Sequence, residues 1–206
     1  MKTLYQGGPP PEDADAVLIL LHGRGATAEG MLDLYRHLDR STVAAMAPQA
    51  PRGTWYPHSF MAPISDNQPH LDHALQRIDA IVHDLLTRGI PAERIALLGF
   101  SQGACLATEY ALRHPRRYAG LMVLTGGFIG PPGMERHDTG SFDGTPAFIG
   151  SSDPDPHVPF ERAQHTADLL ARMGADVDLR RYPDMPHTIC EDEIEACRAM
   201  LAVERD

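Results

Sequence analysis

Residues 95–103 read Ile95-Ala96-Leu97-Leu98-Gly99-Phe100-Ser101-Gln102-Gly103, an apolar run that ends in a serine held between two glycines. Such a run suits a strand buried on both faces, and the glycines suit a chain that turns sharply out of it into a helix. The need is steric, because a turn that tight has no room for side chains beside it and leaves the serine hydroxyl standing clear of the backbone. Composition alone would supply Gly-x-Ser-x-Gly about one time in twenty, so the neighbouring chain must carry the rest of the case.

Outward from that turn, short apolar runs alternate with longer stretches of helical period. Strands are expected at 17–21, 43–47, 95–100, 121–125, 147–150 and 177–182, several of them too continuously apolar for a sheet with one wet face. Leu71, Leu75, Ile78, Val82 and Leu85 recur at steps of three and four, as do Phe160, Ala163, Ala167, Leu170 and Met173, with Gly174 as the stop. Residues 191–203 are expected to form a closing helix. The alternation predicts an α/β fold, with a mostly parallel central sheet and helices on both faces.

The chain has 206 residues, enough for one domain over 1–206 and too few for a large second one. With 28 acidic against 18 basic residues and a net charge of -10, it is not expected to bind nucleic acid or anionic membrane surfaces. No apolar stretch reaches transmembrane length and residues 1–11 show no signal pattern, so stable membrane insertion is not expected and the expected compartment is the cytoplasm. Cys105, Cys190 and Cys197 are odd in number and irregular in spacing, as free thiols would be. The 11 histidines include no His-Glu-x-x-His, and His70-Leu71-Asp72-His73 suits a solvated helix edge, so no metal site is expected.

Two stretches lack periodicity. Residues 48–69 include Trp55, Tyr56, Phe60 and Met61, which either line a substrate pocket or pack a loop onto the core. Residues 130–144, with Pro131-Pro132-Gly133, are expected to make a plain surface excursion that leaves little room for a lid.

A serine hydroxyl is a weak nucleophile, and it needs a base to take its proton and a carboxylate to orient that base. After the strand ending at Gly150, the segment Ser151-Ser152-Asp153-Pro154-Asp155-Pro156-His157-Val158-Pro159 offers both Asp153 and Asp155. After the strand ending near Tyr182, Pro183-Asp184-Met185-Pro186-His187 places His187 on the sheet edge that carries Ser101, where α/β proteins bind ligands. The order Ser, Asp, His is that of the α/β-hydrolases. His22-Gly23-Arg24-Gly25 follows the first long apolar run, so the backbone amides of Arg24 and Gln102 are the expected oxyanion donors. The His22 side chain is expected to brace that loop. Cys105 is expected to be buried in helix packing, and His58 and His157 to be exposed loop histidines outside the site.

These segments resemble the phospholipase/carboxylesterase family of α/β-hydrolases, which includes the acyl-protein thioesterases. The resemblance spans nearly the whole chain and rests on Leu21-His22-Gly23 with Gly25, Gly99-Phe100-Ser101-Gln102-Gly103-Ala104, Asp155-Pro156 with Val158-Pro159, and Tyr182-Pro183 with Met185 and His187. It implies a triad of Ser101, Asp155 and His187, because the family's aspartate heads Asp-Pro-x-Val-Pro. It further implies hydrolysis of carboxylic esters of short to medium acyl chain through an acyl-enzyme, with no cofactor and a small-molecule ester as partner. Acyl-protein thioesterase or lysophospholipase activity is the alternative, and a non-catalytic binding protein on the same scaffold is the alternative of another class. A homodimer is left open. Asp184 stands where family members often carry Gly, and His22-Gly23-Arg24-Gly25-Ala26 stands where His-Gly-Leu-Gly-Asp is common, which bears on the substrate entrance. Trp55-Tyr56-Pro57 with Ser59-Phe60 and Asn67 is more similar to the bacterial esterase-like members.

Overall fold

The computed structural model describes residues 4–202. Its seven strands are β1 (Leu4–Gly7), β2 (Ala16–Leu21), β3 (Val43–Pro48), β4 (Ile95–Phe100), β5 (Gly120–Leu124), β6 (Pro146–Asp153) and β7 (Asp176–Pro183). They form one sheet in the order β1-β3-β2-β4-β5-β6-β7, parallel except for the antiparallel edge strand β1. The helices are α1 (Ala28–Leu38), α2 (His70–Thr87), α3 (Gln102–Arg113), α4 (Phe160–Arg172) and α5 (Glu191–Met200). This is the α/β-hydrolase fold.

Alternation along the strands divides the core in two. Val17, Ile19, Leu21, Leu97, Val123 and Ile149 point to the face covered by α2, α3 and α4, while Leu18, Leu20, Leu98, Met122, Leu124 and Phe148 point to the face covered by α1 and α5. Every residue of β2, β3 and β5 is buried, which is why these strands read as unbroken apolar runs.

Three elements depart from the sequence expectations. Strand β1 is too short and too polar to announce itself, and it is ordered by pairing with β3 from Leu4↔Pro48 to Gly7↔Ala45. Helix α1 was not foreseen, because Gly30 interrupts its first turn; the Thr27 hydroxyl caps it by accepting the Gly30 N–H at 3.1 Å, and Met31, Leu32, Tyr35 and Leu38 are buried. Residues 130–144 are more than a surface excursion, since Phe142 is buried and Arg136 pairs with Glu109 of α3 and with Asp138. Val203, the expected end of the closing helix, lies outside the described residues.

Candidate active site

Ser101 sits between β4 and α3 at φ 53, ψ -119, a conformation that a non-glycine residue holds only when its surroundings impose it. Two close approaches impose it here. A Cβ on Gly99 would overlap the Gly103 carbonyl, and a Cβ on Gly103 would overlap the carbonyl of Leu21 in β2. The Ser101 N–H is fixed by the Leu124 carbonyl at 2.9 Å. Strand, turn and helix thus aim the hydroxyl into the crevice beyond the C-terminal ends of the parallel strands.

The turn after β7 brings His187 to that hydroxyl, with Nε2 2.9 Å from Ser101 Oγ. On the other side of the ring, Nδ1 lies 2.7 Å from Asp155 Oδ2. This geometry selects the tautomer in which Nδ1–H donates to the carboxylate and Nε2 keeps its lone pair for the serine proton. Asp155 Oδ1 accepts the amides of His157 and Val158, both at 2.8 Å. Burial alone would raise the Asp155 pKa, but the bond from His187 and the two amides hold it below the usual carboxylate range. Asp153, the competing aspartate, pairs instead with Arg181. Asp184 adopts the left-handed conformation at φ 57, a region that Asp tolerates better than most residues, and its amide is held by Asp153 O at 2.9 Å.

Facing Ser101, the loop after β2 is braced from within. His22 is fully buried, donates from Nδ1 to Gly23 O at 2.7 Å and accepts the Ala50 amide on Nε2 at 3.1 Å. Burial pushes its pKa down, which keeps the ring neutral for that double role. The amides of Arg24 and Gln102 are not taken by any acceptor among the described residues. Two free amides beside a hydroxyl at a helix N-terminus suit an oxygen that gains negative charge.

The cavity in front of these groups has a volume of about 590 Å³, in the range of small-molecule sites, and Tyr56, Phe60, Phe100, Cys105, His157 and Val158 are among the residues lining it. A family model described as Phospholipase/Carboxylesterase matches residues 9–204. The chain belongs to this family. A phospholipase/carboxylesterase from Dyadobacter fermentans DSM 18053 is 43% identical, covers 98% of this chain and 96% of its own, and superposes with a TM-score of 0.92. An acyl-protein thioesterase 1 of Mycosarcoma maydis is 28% identical over 98% of this chain and 96% of its own length. Esterase PE8, 23% identical with a TM-score of 0.81 over 97% of both chains, shares the fold.

In this member of the phospholipase/carboxylesterase family the aromatic loop divides between pocket and scaffold. Tyr56 and Phe60 line the cavity. Trp55 does not: it is buried behind the wall, where its indole N–H donates to His22 O at 2.8 Å. Met61 does not line it either, and packs against the core. The Gln102 side chain ties the loop to the serine turn, accepting the Trp55 amide at 3.0 Å and donating to Tyr56 O at 2.8 Å.

His58 and His157, set outside the site on the sequence, both line the cavity, and the His157 ring stands edge-on to His187 at 5.0 Å. The signal for His157 was its place inside Asp155-Pro156-His157-Val158, next to an aspartate that needs backbone donors. Cys105 is buried as expected but also forms part of the cavity wall; burial pushes its thiol up to about 12, so it stays protonated. Among the described residues no helix is long and apolar enough to cross a membrane, and no cluster of His, Cys, Asp or Glu could hold a metal ion.

Proposed function

We propose that the protein is a serine esterase that cleaves small carboxylic esters through an acyl-enzyme. The observation that carries this is the continuous chain Ser101 Oγ to His187 Nε2 at 2.9 Å and His187 Nδ1 to Asp155 Oδ2 at 2.7 Å, opening onto a cavity beside two uncommitted amides.

The chemistry follows from these distances. Ser101 Oγ attacks the ester carbonyl carbon as its proton passes to His187 Nε2, and the carbonyl oxygen, now an alkoxide, takes the amides of Arg24 and Gln102. When the tetrahedral adduct collapses, the bond to the alcohol oxygen breaks and the imidazolium returns its proton to that oxygen. Water then attacks the acyl-serine ester and gives a proton to His187. The second collapse releases the carboxylic acid and restores the Ser101 hydroxyl. Asp155 stays ionised throughout and stabilises the imidazolium.

The cavity suits short to medium acyl groups, because its aromatic walls enclose a limited volume and residues 130–144 pack on α3 instead of forming a lid. Thioester cleavage is the second reading, favoured by the likeness to the Mycosarcoma maydis thioesterase. Rates across 4-nitrophenyl esters of increasing acyl length, with a matched acyl thioester in the same panel, separate the two. The esterase reading expects a maximum at short or medium esters and fluorophosphonate labelling that disappears in Ser101→Ala. Undiminished labelling in that variant would overturn it.

A further inference from the structure

The chain carries a net charge of -10, yet the active-site cavity has the opposite character. No aspartate or glutamate is among the described residues that line it, and Arg24 is the one lysine or arginine there; His58, His157 and His187 complete the ionisable nitrogen bases. Asp155 keeps its charge but is set behind His187 with a fully buried side chain, where it faces the imidazole and is not part of the cavity lining.

Arg24 is also fixed in place. Its Nη1 donates to Pro57 O at 3.0 Å, and its Nη2 donates to Tyr56 O at 3.1 Å and His58 O at 2.8 Å. Three carbonyl dipoles orient a guanidinium without cancelling its unit charge, and no ion pair to Arg24 occurs among the described residues. A guanidinium has five N–H donors, so the Nε–H and one Nη1–H remain for a ligand. A preordered cation at the edge of a cavity whose lining has no aspartate or glutamate is built to receive an anion.

We propose that the substrate is a half-ester of a short dicarboxylic acid, with its free carboxylate anchored by Arg24. A single guanidinium with two donors left matches a monoanion, which favours a carboxylate over a doubly charged phosphate. The spacing follows from Arg24 itself. Its backbone amide faces the developing oxyanion while its side-chain end meets the carboxylate, so the two ends of the acyl group are separated by about one arginine side chain, or roughly two to four carbons. His58 and His157, on the same cavity, give further N–H donors near the anion. The hydrolysis of this substrate rests on the serine-esterase reading; the binding of its carboxylate does not.

Two measurements test it. The first compares kcat/KM for mono-4-nitrophenyl glutarate and for 4-nitrophenyl valerate, which has the same number of acyl carbons and no charge. The wild type is expected to favour the glutarate at least tenfold, with the ratio falling toward one in Arg24→Gln, partly restored in Arg24→Lys, and shrinking as salt is raised. The ratio between esters is the readout because loosening residues 54–60 would slow both. A wild-type ratio of one or less, or a ratio unchanged in Arg24→Gln, overturns the proposal. The second is calorimetric binding of monomethyl glutarate to Ser101→Ala and to Ser101→Ala with Arg24→Gln. The single variant is expected to bind at least tenfold more tightly, and equal affinities overturn the proposal whatever the hydrolysis data. Arg24-dependent binding in a protein that hydrolyses neither ester would uphold the anion site and sink the esterase reading.

Discussion

Ser152 Oγ donates to Asp155 Oδ2 over 3.1 Å, and the same oxygen receives the Nδ1–H of His187. With the amides of His157 and Val158 on Oδ1, the carboxylate is saturated by four donors, which fixes both its rotamer and its ionisation. Ser152 itself is fully buried at the end of β6 and has no second role that would account for a hydroxyl there, apart from a longer approach to Pro186 O at 3.3 Å.

Removing that hydroxyl leaves three donors in place. Ser152→Ala is therefore expected to lower kcat by about fivefold to thirtyfold, the effect of about 1–2 kcal/mol for one bond to a charged acceptor, with KM unchanged. Steady-state kinetics on a 4-nitrophenyl ester reads both quantities. A rise in KM with kcat intact would mean that Ser152 acts on substrate and not through Asp155.

Asp155 and Asp153 should respond very differently to the same change. Asp155→Asn disturbs the His187 tautomer and should cost on the order of 10⁴ in kcat. Asp153→Asn removes only a partner of Arg181 and should stay within about threefold of wild type, since an ion pair of that kind is worth little. The reverse order would assign the orienting carboxylate to Asp153.

Much of the arrangement was legible because it follows from chain order. A continuously apolar strand, a serine between glycines, and an aspartate and a histidine each just past a later strand are linear features, and parallel strands bring their C-terminal ends to one edge. What the sequence could not show is which side of a loop a residue faces. On sequence Trp55 suits either the pocket or a loop packed onto the core; its indole N–H needs a buried acceptor and finds one in His22 O, which leaves the ring out of the cavity lining. His157 was set aside as a lone histidine, although the Asp155 oxygen that binds its amide brings its ring to His187. Helix α1 hid behind Gly30, and β1 behind its four-residue length.

Trp55→Phe tests the brace. It keeps the aromatic packing and deletes the donor to His22 O, leaving a buried carbonyl unpaired at a cost of about 1–3 kcal/mol. The chemical-denaturation midpoint should fall accordingly. The kcat of all esters should fall together, because the loop that carries the Arg24 amide loses a support. A change confined to long-chain esters would place the indole in the pocket after all.

Two buried residues tilt the pH dependence of stability in opposite directions. Burial depresses the His22 pKa, so the unfolded chain binds more protons at this residue; its contribution is present above the ordinary value of 6.5 and is lost as pH falls below it. Glu193 is the opposite case. Burial pushes it up to about 7, so the folded chain binds the extra proton and stability is lost as pH rises from about 4.5 to about 7. Its Oε2 accepts the Cys190 amide at 2.9 Å, while Oε1 is buried against Gly150 with no partner among the described residues. Glu193→Gln should flatten the second decline and stabilise the protein above pH 7 by about 1–3 kcal/mol. Denaturation midpoints of the two proteins between pH 5 and 8 provide the check, and parallel curves would rule out Glu193 as the source.

Ser101 follows β4, a strand at the centre of the sheet and flanked by two others, whereas His187 follows β7, which pairs with β6 alone and has every residue at least partly exposed. Regions with such different burial open with different free energies. The two ends of a single 2.9 Å proton path thus belong to the enclosed interior of the sheet and to a partly exposed margin of it. If that margin opens before the core on warming, it carries the imidazole away while the nucleophile keeps its pose. Activity lost below the cooperative unfolding midpoint is the expected sign of that order, and activity that persists up to the midpoint would exclude it.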